Sequence, residues 1–205
     1  MMERKAELRR SIRSLLSELK AEAILAQSEE VSAKVVATVA WERCRGVALF
    51  CSMEKEFQTL PLLKAAFAAE KKVFLPKVLS LKSRSMVFRR ASSLDEVLAF
   101  PKSKWGIPEP PEGEEDLDAI DLVIVPGLAF DYRCARLGQG AGFYDTFFDR
   151  LERHKGSLPP LIGVALDQQI LPPEEIIPTE PHDRFLDELF SPSHHFHKKT
   201  SSQKN

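Results

Sequence analysis

The stretch DLVIVPGLAFDYRCARLGQGAGFYDTFFDR (residues 121–150) predicts the centre of the fold: an apolar run, a loop with three alternating glycines, and a helix. DLVIVP (121–126) is short, β-branched and closed by a proline, as expected of a buried strand. The segment YDTFFDRLERHK (144–155) carries apolar residues at helical spacing, and Gly156 is a suitable residue to end that helix. The stretch therefore predicts a strand, a loop and a helix in that order.

Similar segments occur on both sides of this stretch. GVALFCS (46–52), KVFLP (72–76) and LIGVAL (161–166) are also short apolar runs that predict buried strands, and LPLLKAAFAAEK (60–71) favours a helix. Strands that alternate with helices indicate an α/β fold, here a single-domain three-layer sandwich with a mostly parallel, Rossmann-like sheet flanked by helices.

The two ends of the chain differ in character. The start predicts an amphipathic helix followed by a second helix over 21–40. The α/β domain is expected to cover residues 1–190, and the polar segment 191–205 is expected to be a disordered tail. Three histidines in this tail could hold a metal, but a solvated role is favoured for them. They are His194, His195 and His197.

Composition excludes several classes of protein. With 29 Lys and Arg against 30 Asp and Glu, the formal net charge is −1, which argues against binding to nucleic acid or to an anionic membrane. No apolar run approaches the roughly 18 residues of a membrane span. Glu3, Glu7 and Glu18 are unfavourable in a transit peptide, and three cysteines without metal-ligand spacing suggest reduced thiols. A cytoplasmic protein is therefore expected.

The glycine stretch predicts an anion site. Gly138, Gly140 and Gly142 leave the backbone accessible directly before a helix, whose first N–H groups are unpaired and lie at the positive end of the helix dipole. Phosphate suits such a site. Arg136 adds a cation, and Asp145 in the first helical turn provides an oxygen ligand for a phosphate-bound Mg²⁺.

The spacing G-x-G-x-G matches neither the dinucleotide motif G-x-G-x-x-G nor a Walker A loop, which ends in G-K-[ST]. A purely structural alternative remains open from these residues alone. In that alternative the stretch is a glycine-rich surface turn, and Asp145 only stabilises the start of the helix.

A longer match to a known sequence pattern favours the anion site over the structural turn. PGLAFDYRCARLGQGAGFYD (126–145) resembles the signature of the 5-formyltetrahydrofolate cyclo-ligases, also called methenyltetrahydrofolate synthetases. Further landmarks of that family follow the same order, and the resemblance covers residues 5–190. These landmarks are K-x-x-L-R (5–9), M-x-x-E (53–56), W-x-I-P-x-P (105–110), Gln169 and P-x-E-x-H-D-x-x-x-D (178–187).

The resemblance implies an ATP-dependent ring closure of 5-formyltetrahydrofolate to 5,10-methenyltetrahydrofolate, with release of ADP and phosphate through a phosphorylated formyl (imino-phosphate) intermediate. It implies Mg²⁺ as cofactor and ATP as co-substrate. Small molecules are the expected partners, nucleic acid and membranes are not, and a monomer is expected.

The resemblance also implies roles for individual residues. Arg136 and Tyr144 are the implied catalytic residues, and Asp145 and Asp183 are the implied metal ligands. The implied ATP-binding residues are Lys5, Arg9, Arg136, Leu137, Gly138, Gln139, Gly140, Ala141, Gly142, Phe143 and Tyr144. The implied substrate-binding residues are Cys51, Glu56, Trp105, Gln139, Gly140, Ala141, Gly142 and Phe143, with Met53 beside Cys51.

This chain departs from the family pattern within the loop. Family members often carry Lys, Gly or Arg at the variable loop positions, where this chain has Gln139 and Ala141, and Tyr in place of Phe143. The loss of a lysine removes one phosphate cation, so a lower rate is expected.

Two other functions remain alternatives. One is a non-catalytic relative that binds folate or a nucleotide. The other is a sugar-phosphate or acyl-CoA enzyme built on a similar sheet.

Overall fold

A computed structural model describes residues 2–103, 106–111, 113, 115–180 and 183–198 of the chain. Its helices are α1 (Met2–Ser17), α2 (Ala21–Val36), α3 (Val39–Arg43), α4 (Leu60–Ala68), α5 (Leu94–Ala99) and α6 (Phe143–Lys155). Its strands are β1 (Gly46–Ala48), β2 (Lys72–Ser80), β3 (Ser85–Ala91), β4 (Leu122–Val125), β5 (Ala129–Phe130), β6 (Arg136–Leu137), β7 (Leu161–Val164), β8 (Glu188–Phe190) and β9 (His195–His197). A short 3-10 helix, Asp167–Gln169, follows β7.

Seven of these strands form one mixed sheet, in the order β3-β2-β1-β4-β7-β8-β9. The five inner strands are parallel to one another, whereas β3 and β9 pair antiparallel at the two edges. The predicted mostly parallel sheet is therefore confirmed. The carboxyl ends of the parallel strands lie at one edge of the sheet, where ligand sites of such folds occur.

Helices cover both faces of the sheet, which confirms the three layers. Along β4, Leu122 and Ile124 belong to one buried cluster, and Val123 and Val125 belong to the other, because successive strand residues point to opposite faces. The first cluster includes Leu8, Ile12 and Leu16 of α1 and Leu62, Leu63 and Ala66 of α4. The second includes Phe147, Phe148 and Leu151 of α6.

Several element boundaries differ from the sequence prediction. The helix expected over 21–40 is divided, because Thr38 accepts a hydrogen bond from the N–H of Trp41 at 3.1 Å and starts α3. Strand β1 ends at Ala48, four residues before the predicted end. Strand β3 was not predicted, although Ser85–Ala91 pairs with β2 along most of its length. Gly156 ends α6 with a φ of 80°, as predicted.

The expected disordered tail is wrong for its first part. His195–His197 form β9, which pairs with β8 and extends the sheet beyond residue 190. The turn between them is fixed because Asp167 accepts hydrogen bonds from the hydroxyls of Ser191 (2.6 Å) and Ser193 (2.7 Å). The polar composition of this segment predicted that it is solvated, but these hydrogen bonds give its serine hydroxyls partners within the fold. Residues 199–205 of that tail lie outside the described residues.

The loop after β4 is organised by one buried carboxylate, that of Asp131. Its Oδ1 accepts the backbone N–H groups of Arg133 (2.9 Å) and Ala135 (3.2 Å). Its Oδ2 accepts the guanidinium of Arg133 (2.7 Å) and the N–H of Ile177 (3.0 Å). Asp131 is fully buried. It thus joins the hairpin β5–β6, which leads into the glycine loop, to the segment that leads to Asp183.

We expect Asp131→Asn to lower the free energy of unfolding by about 2–4 kcal/mol. Both carboxylate oxygens accept backbone N–H groups, so either orientation of the amide directs its NH₂ at a donor. Urea denaturation followed by circular dichroism measures the change. Asp118→Asn is the matched control, because its side chain is 82% exposed, and a change within about 0.5 kcal/mol is expected there. Equal stability of both variants would contradict the role of Asp131.

Candidate active site

A cavity of about 600 Å³ opens at the carboxyl ends of β1 and β4. Phe50 and Cys51 line it shortly after β1, Gly127 and Leu128 line it after β4, and the second half of β2 contributes another wall. The glycine loop and the start of α6 form a further side, and Arg9 of α1 contacts this loop. The cavity thus lies at the edge of the sheet where ligand sites of open α/β folds occur.

The structure brings the sequence-predicted site residues together in this cavity. Lining residues among them are Lys5, Arg9, Cys51, Met53, Glu56, Arg136, Leu137, Gly138, Gln139, Gly140, Ala141, Gly142, Phe143, Tyr144, Asp145 and Asp183. Trp105 lies outside the described residues. Position is thereby established for the described members of the set, while their individual roles stay predictions.

The glycine loop adopts the backbone geometry that glycine favours. Gly140 and Gly142 have φ values of 106° and 72°, in the left-handed region, and Gly142 is the N-cap of α6. At Gly138, a Cβ would lie 2.9 Å from Nη1 of Arg136 and would displace the end of that side chain. The loop therefore places a bare backbone and the free N–H groups of a 13-residue helix against the cavity.

Arg136 is held beneath this loop with its side chain only 8% exposed. Its Nη2 donates to Oδ1 of Asp145 at 2.9 Å, and its guanidinium lies 5.5 Å from the ring centre of Tyr144. Its Nε is buried and has no hydrogen-bond partner. An unpaired buried donor costs free energy, so Arg136 is positioned at some cost to stability.

Helix α1 carries two further cations to the same cavity. Nε of Arg9 donates to the carbonyl oxygen of Gly138 at 3.0 Å, and Nζ of Lys5 lies 3.2 Å from Oδ2 of Asp183. Burial is the main cause that lowers the pKa of Arg9, followed by the charge of Arg13. The basic face of α1 is therefore a wall of the cavity, and it is not a freely solvated surface.

The two predicted metal ligands are each paired with a cation in this structure. Asp145 accepts from Arg136, and Asp183 accepts from Lys5 and from the N–H of Glu180 at 2.8 Å. Within the described ranges, neither acid belongs to a group of three close metal-binding side chains. Mg²⁺ commonly takes one or two carboxylates and completes its coordination with phosphates and waters. The pair fits such a shared site and does not fit an all-protein cage.

The cavity lining also contains the carboxylate of Glu56, which lies beside Met53 and Gln139. Burial raises the pKa of Glu56, while the N–H of Met53 (3.3 Å) and the amide of Gln139 (3.3 Å) partly stabilise its anion. Burial, together with the nearby charge of Glu109, raises the pKa of the Cys51 thiol to about 12. A thiol with that pKa stays neutral near pH 7, so Cys51 is a packing surface and not a nucleophile.

Tyr144 lines the cavity beside Arg136. Burial raises the pKa of Tyr144, and its hydroxyl has no hydrogen-bond partner. The hydroxyl is therefore protonated near neutral pH and is available as a donor, but not as a base.

Arg84 is the main cavity-lining residue that the sequence did not predict. It lies in the turn between β2 and β3, has a φ of 52°, and approaches within 3.4 Å of a Cβ built on Gly142. Its side chain makes no hydrogen bond or ion pair with another described residue. The apolar run Met86, Val87 and Phe88 was the available signal, because a strand there implies a hairpin that returns along β2.

Glu56→Gln should become more stable relative to wild type as pH rises. The pKa of Glu56 is raised in the folded state, so the native protein binds more protons than the unfolded chain, and stability falls as pH rises through that range. Gln does not titrate, so the variant does not lose this stability. We expect the free energy of unfolding of the variant, relative to that of wild type, to be larger at about pH 7.5 than at about pH 4.

Urea denaturation at the two pH values tests this expectation. Glu54→Gln, two residues away and exposed, is the matched control and should show a pH-independent difference. An advantage of Glu56→Gln that is equal at both pH values would contradict the buried charge.

Comparison with known proteins agrees with this geometry. Residues 1–192 match the model of the 5-formyltetrahydrofolate cyclo-ligase family. Mouse 5-formyltetrahydrofolate cyclo-ligase is 34% identical over 190 residues, which cover 90% of this chain and 92% of the mouse protein. A probable 5-formyltetrahydrofolate cyclo-ligase of Schizosaccharomyces pombe is 36% identical over 202 residues, 92% of this chain and 95% of that protein. The solved structure of Aquifex aeolicus 5,10-methenyltetrahydrofolate synthetase superposes with a TM-score of 0.76 at 28% identity, covering 98% of this chain and 96% of that chain. The chain belongs to the 5-formyltetrahydrofolate cyclo-ligase family.

Proposed function

We propose that this protein is an ATP-dependent ligase that converts 5-formyltetrahydrofolate to 5,10-methenyltetrahydrofolate, with release of ADP and phosphate. The observation that carries the proposal is the shape of the cavity. The start of α6, with its free N–H groups, and the buried Glu56 carboxylate line one space of about 600 Å³. A phosphoryl donor and a ring with N–H donors can therefore meet there.

The phosphates of ATP bind at the glycine loop. Backbone N–H groups at the start of α6 and the positive end of its dipole attract them. Arg9, Arg136 and Lys5 add cations from two sides, and Arg84 adds a fourth from the β2–β3 turn. Phosphoryl transfer requires mainly positioning and charge stabilisation, which these groups provide.

The folate ring binds beside Glu56. Glu56 accepts hydrogen bonds from the N–H groups of the pterin, and such a pairing recovers the free energy lost when the carboxylate was buried. Met53, Cys51 and Phe143 provide apolar surface. Trp105 stays a predicted contact from the resemblance alone.

The reaction then proceeds in two displacements. The formyl oxygen attacks the γ-phosphorus and ADP leaves, which forms an imino-phosphate. The nitrogen at position 10 attacks the formyl carbon, loses its proton, and phosphate departs with the former formyl oxygen. Arg136 neutralises charge on the transferring group, and the unpaired hydroxyl of Tyr144 donates a hydrogen bond to it.

Asp145 and Asp183 are the residues that would hold Mg²⁺. A bound Mg²⁺ would neutralise charge on the phosphate oxygens. Each acid would then exchange its present partner, Arg136 or Lys5, for the metal, and the released cations would be free to contact phosphate.

An absorbance assay tests the function. Purified protein, 5-formyltetrahydrofolate and MgATP should give the methenyl absorption band, and omission of ATP should abolish it. No signal, with a known cyclo-ligase active in the same buffer, would overturn the proposal. Folate binding by calorimetry without turnover would instead support a non-catalytic relative, and an ATP-independent activity would support the sugar-phosphate or acyl-CoA alternative.

Asp145→Asn should lower kcat by about 100-fold or more, while Arg136→Ala should raise KM for ATP and also lower kcat, because Arg136 contacts the phosphates both before and during transfer. Steady-state kinetics at several Mg²⁺ concentrations separate the two effects. Asp149→Asn, one helical turn further along α6, is the matched control. Its partner Arg184 keeps an ion pair with Glu152 at 2.6 Å, so activity should stay near wild type. Unchanged kcat in Asp145→Asn would exclude the assigned metal ligand.

Location and assembly are proposed from the sequence. A cytoplasmic monomer that does not bind nucleic acid agrees with the near-balanced charge. Among the described helices, none combines the length and the apolar character needed to cross a membrane.

A further inference from the structure

The edge hairpin formed by β8 and β9 carries a cluster of side chains outside the cavity. Glu188 lies opposite His197 in the register of the two strands, and Phe190 lies opposite His195. His195 and His197 are two residues apart on β9, so their side chains share one face of the strand. Glu188 projects on the same face, because its carboxylate contacts both imidazoles.

The three side chains have a geometry close to metal coordination. Oε2 of Glu188 lies 2.8 Å from Nε2 of His195 and 3.7 Å from Nδ1 of His197. One ligand atom from each residue can be chosen so that all three lie within 4.8 Å of one another. Ligand atoms around a tetrahedral Zn²⁺ lie about 3.4 Å apart, given bond lengths near 2.1 Å. Small side-chain rotations would therefore suffice.

The scaffold of this cluster is well supported. The ring of His195 stacks on Phe190 with centroids 4.0 Å apart and planes at 20°. Backbone pairing aligns the strands, and Asp167 fixes the connecting turn through Ser191 and Ser193. A site whose ligands are already ordered loses less entropy on binding than a site in a mobile tail.

We propose that Glu188, His195 and His197 form a binding site for a divalent transition-metal ion, with Zn²⁺ as the representative. Two imidazole nitrogens and one carboxylate oxygen suit Zn²⁺, Ni²⁺ or Cu²⁺, whereas Mg²⁺ prefers oxygen ligands alone. The exposed position of the histidines leaves a fourth coordination place for water. The site is separate from the cavity, because none of its three residues lines it. The bound ion fastens β9 to β8.

Zinc titration by calorimetry tests the site in full-length protein without an affinity tag, after treatment with a chelator. Wild type should bind one Zn²⁺, and a tenfold excess of Mg²⁺ should not displace it. His197→Ala should bind roughly tenfold more weakly or worse. His194→Ala is the matched control, because His194 lies in the same hairpin with its Nδ1 3.8 Å from Asp167, and its affinity should equal that of wild type.

Two further readouts distinguish this site from others on the chain. Electron paramagnetic resonance of bound Cu²⁺ should show two nitrogen ligands in wild type and one in His197→Ala. The double variant H195A/H197A should lose the rise in melting temperature that Zn²⁺ gives to wild type. Circular dichroism confirms that each variant is folded.

Three results would overturn the proposal. They are zinc binding weaker than about 1 mM in wild type, wild-type affinity in H195A/H197A, and a sulfur-to-metal absorption band with Co²⁺. The last would assign the ion to a cysteine. None of these measurements depends on cyclo-ligase activity.

Discussion

The geometry of the site depends most on the hydrogen bonds that the Asp131 carboxylate accepts. A fully buried carboxylate is tolerated only when donors surround it, and here backbone N–H groups and one guanidinium do so. These donors come from two distant parts of the chain, the β5–β6 hairpin and the segment around Ile177. One carboxylate thus links the hairpin that leads to the glycine loop with the segment around Ile177. None of the side chains predicted for the site takes part in this link.

The cavity contains charges that neutralise each other. Arg136 and Asp145 form one pair, and Lys5 and Asp183 form another, so the partly buried groups do not remain unpaired. Under the proposed function, phosphates and Mg²⁺ would offer each group a new partner of the same sign as its old one. Exchanging one partner for another of the same sign costs less free energy than leaving a desolvated charge without a partner. The side chains are also held in place before the ligands arrive.

Elements that depend on local residue patterns could be predicted from the sequence. The inner strands, α6 and its terminal Gly156 follow from burial on both faces, helical spacing and the conformational freedom of glycine. Contacts between distant residues could not be read in this way. The position of Arg84 depends on a hairpin whose outer strand is only half buried, and β9 depends on a turn held by Asp167. The glycines, Arg136 and Asp145 could be inferred from residue chemistry, whereas Asp183 was assigned only through the family pattern, because by itself it is an acid in a loop.

The contacts of α1 have a consequence for biosynthesis. Its residues Arg4, Lys5 and Arg9 lie near the beginning of the chain, but Arg4 and Lys5 pair with Glu175 and Asp183, which are translated more than 170 residues later. On the ribosome, the first helix is therefore made long before its partners exist. The long-range pairs of this helix can form only after residues 175–183 have left the exit tunnel. The cavity wall that α1 forms is therefore assembled late compared with the synthesis of the helix itself.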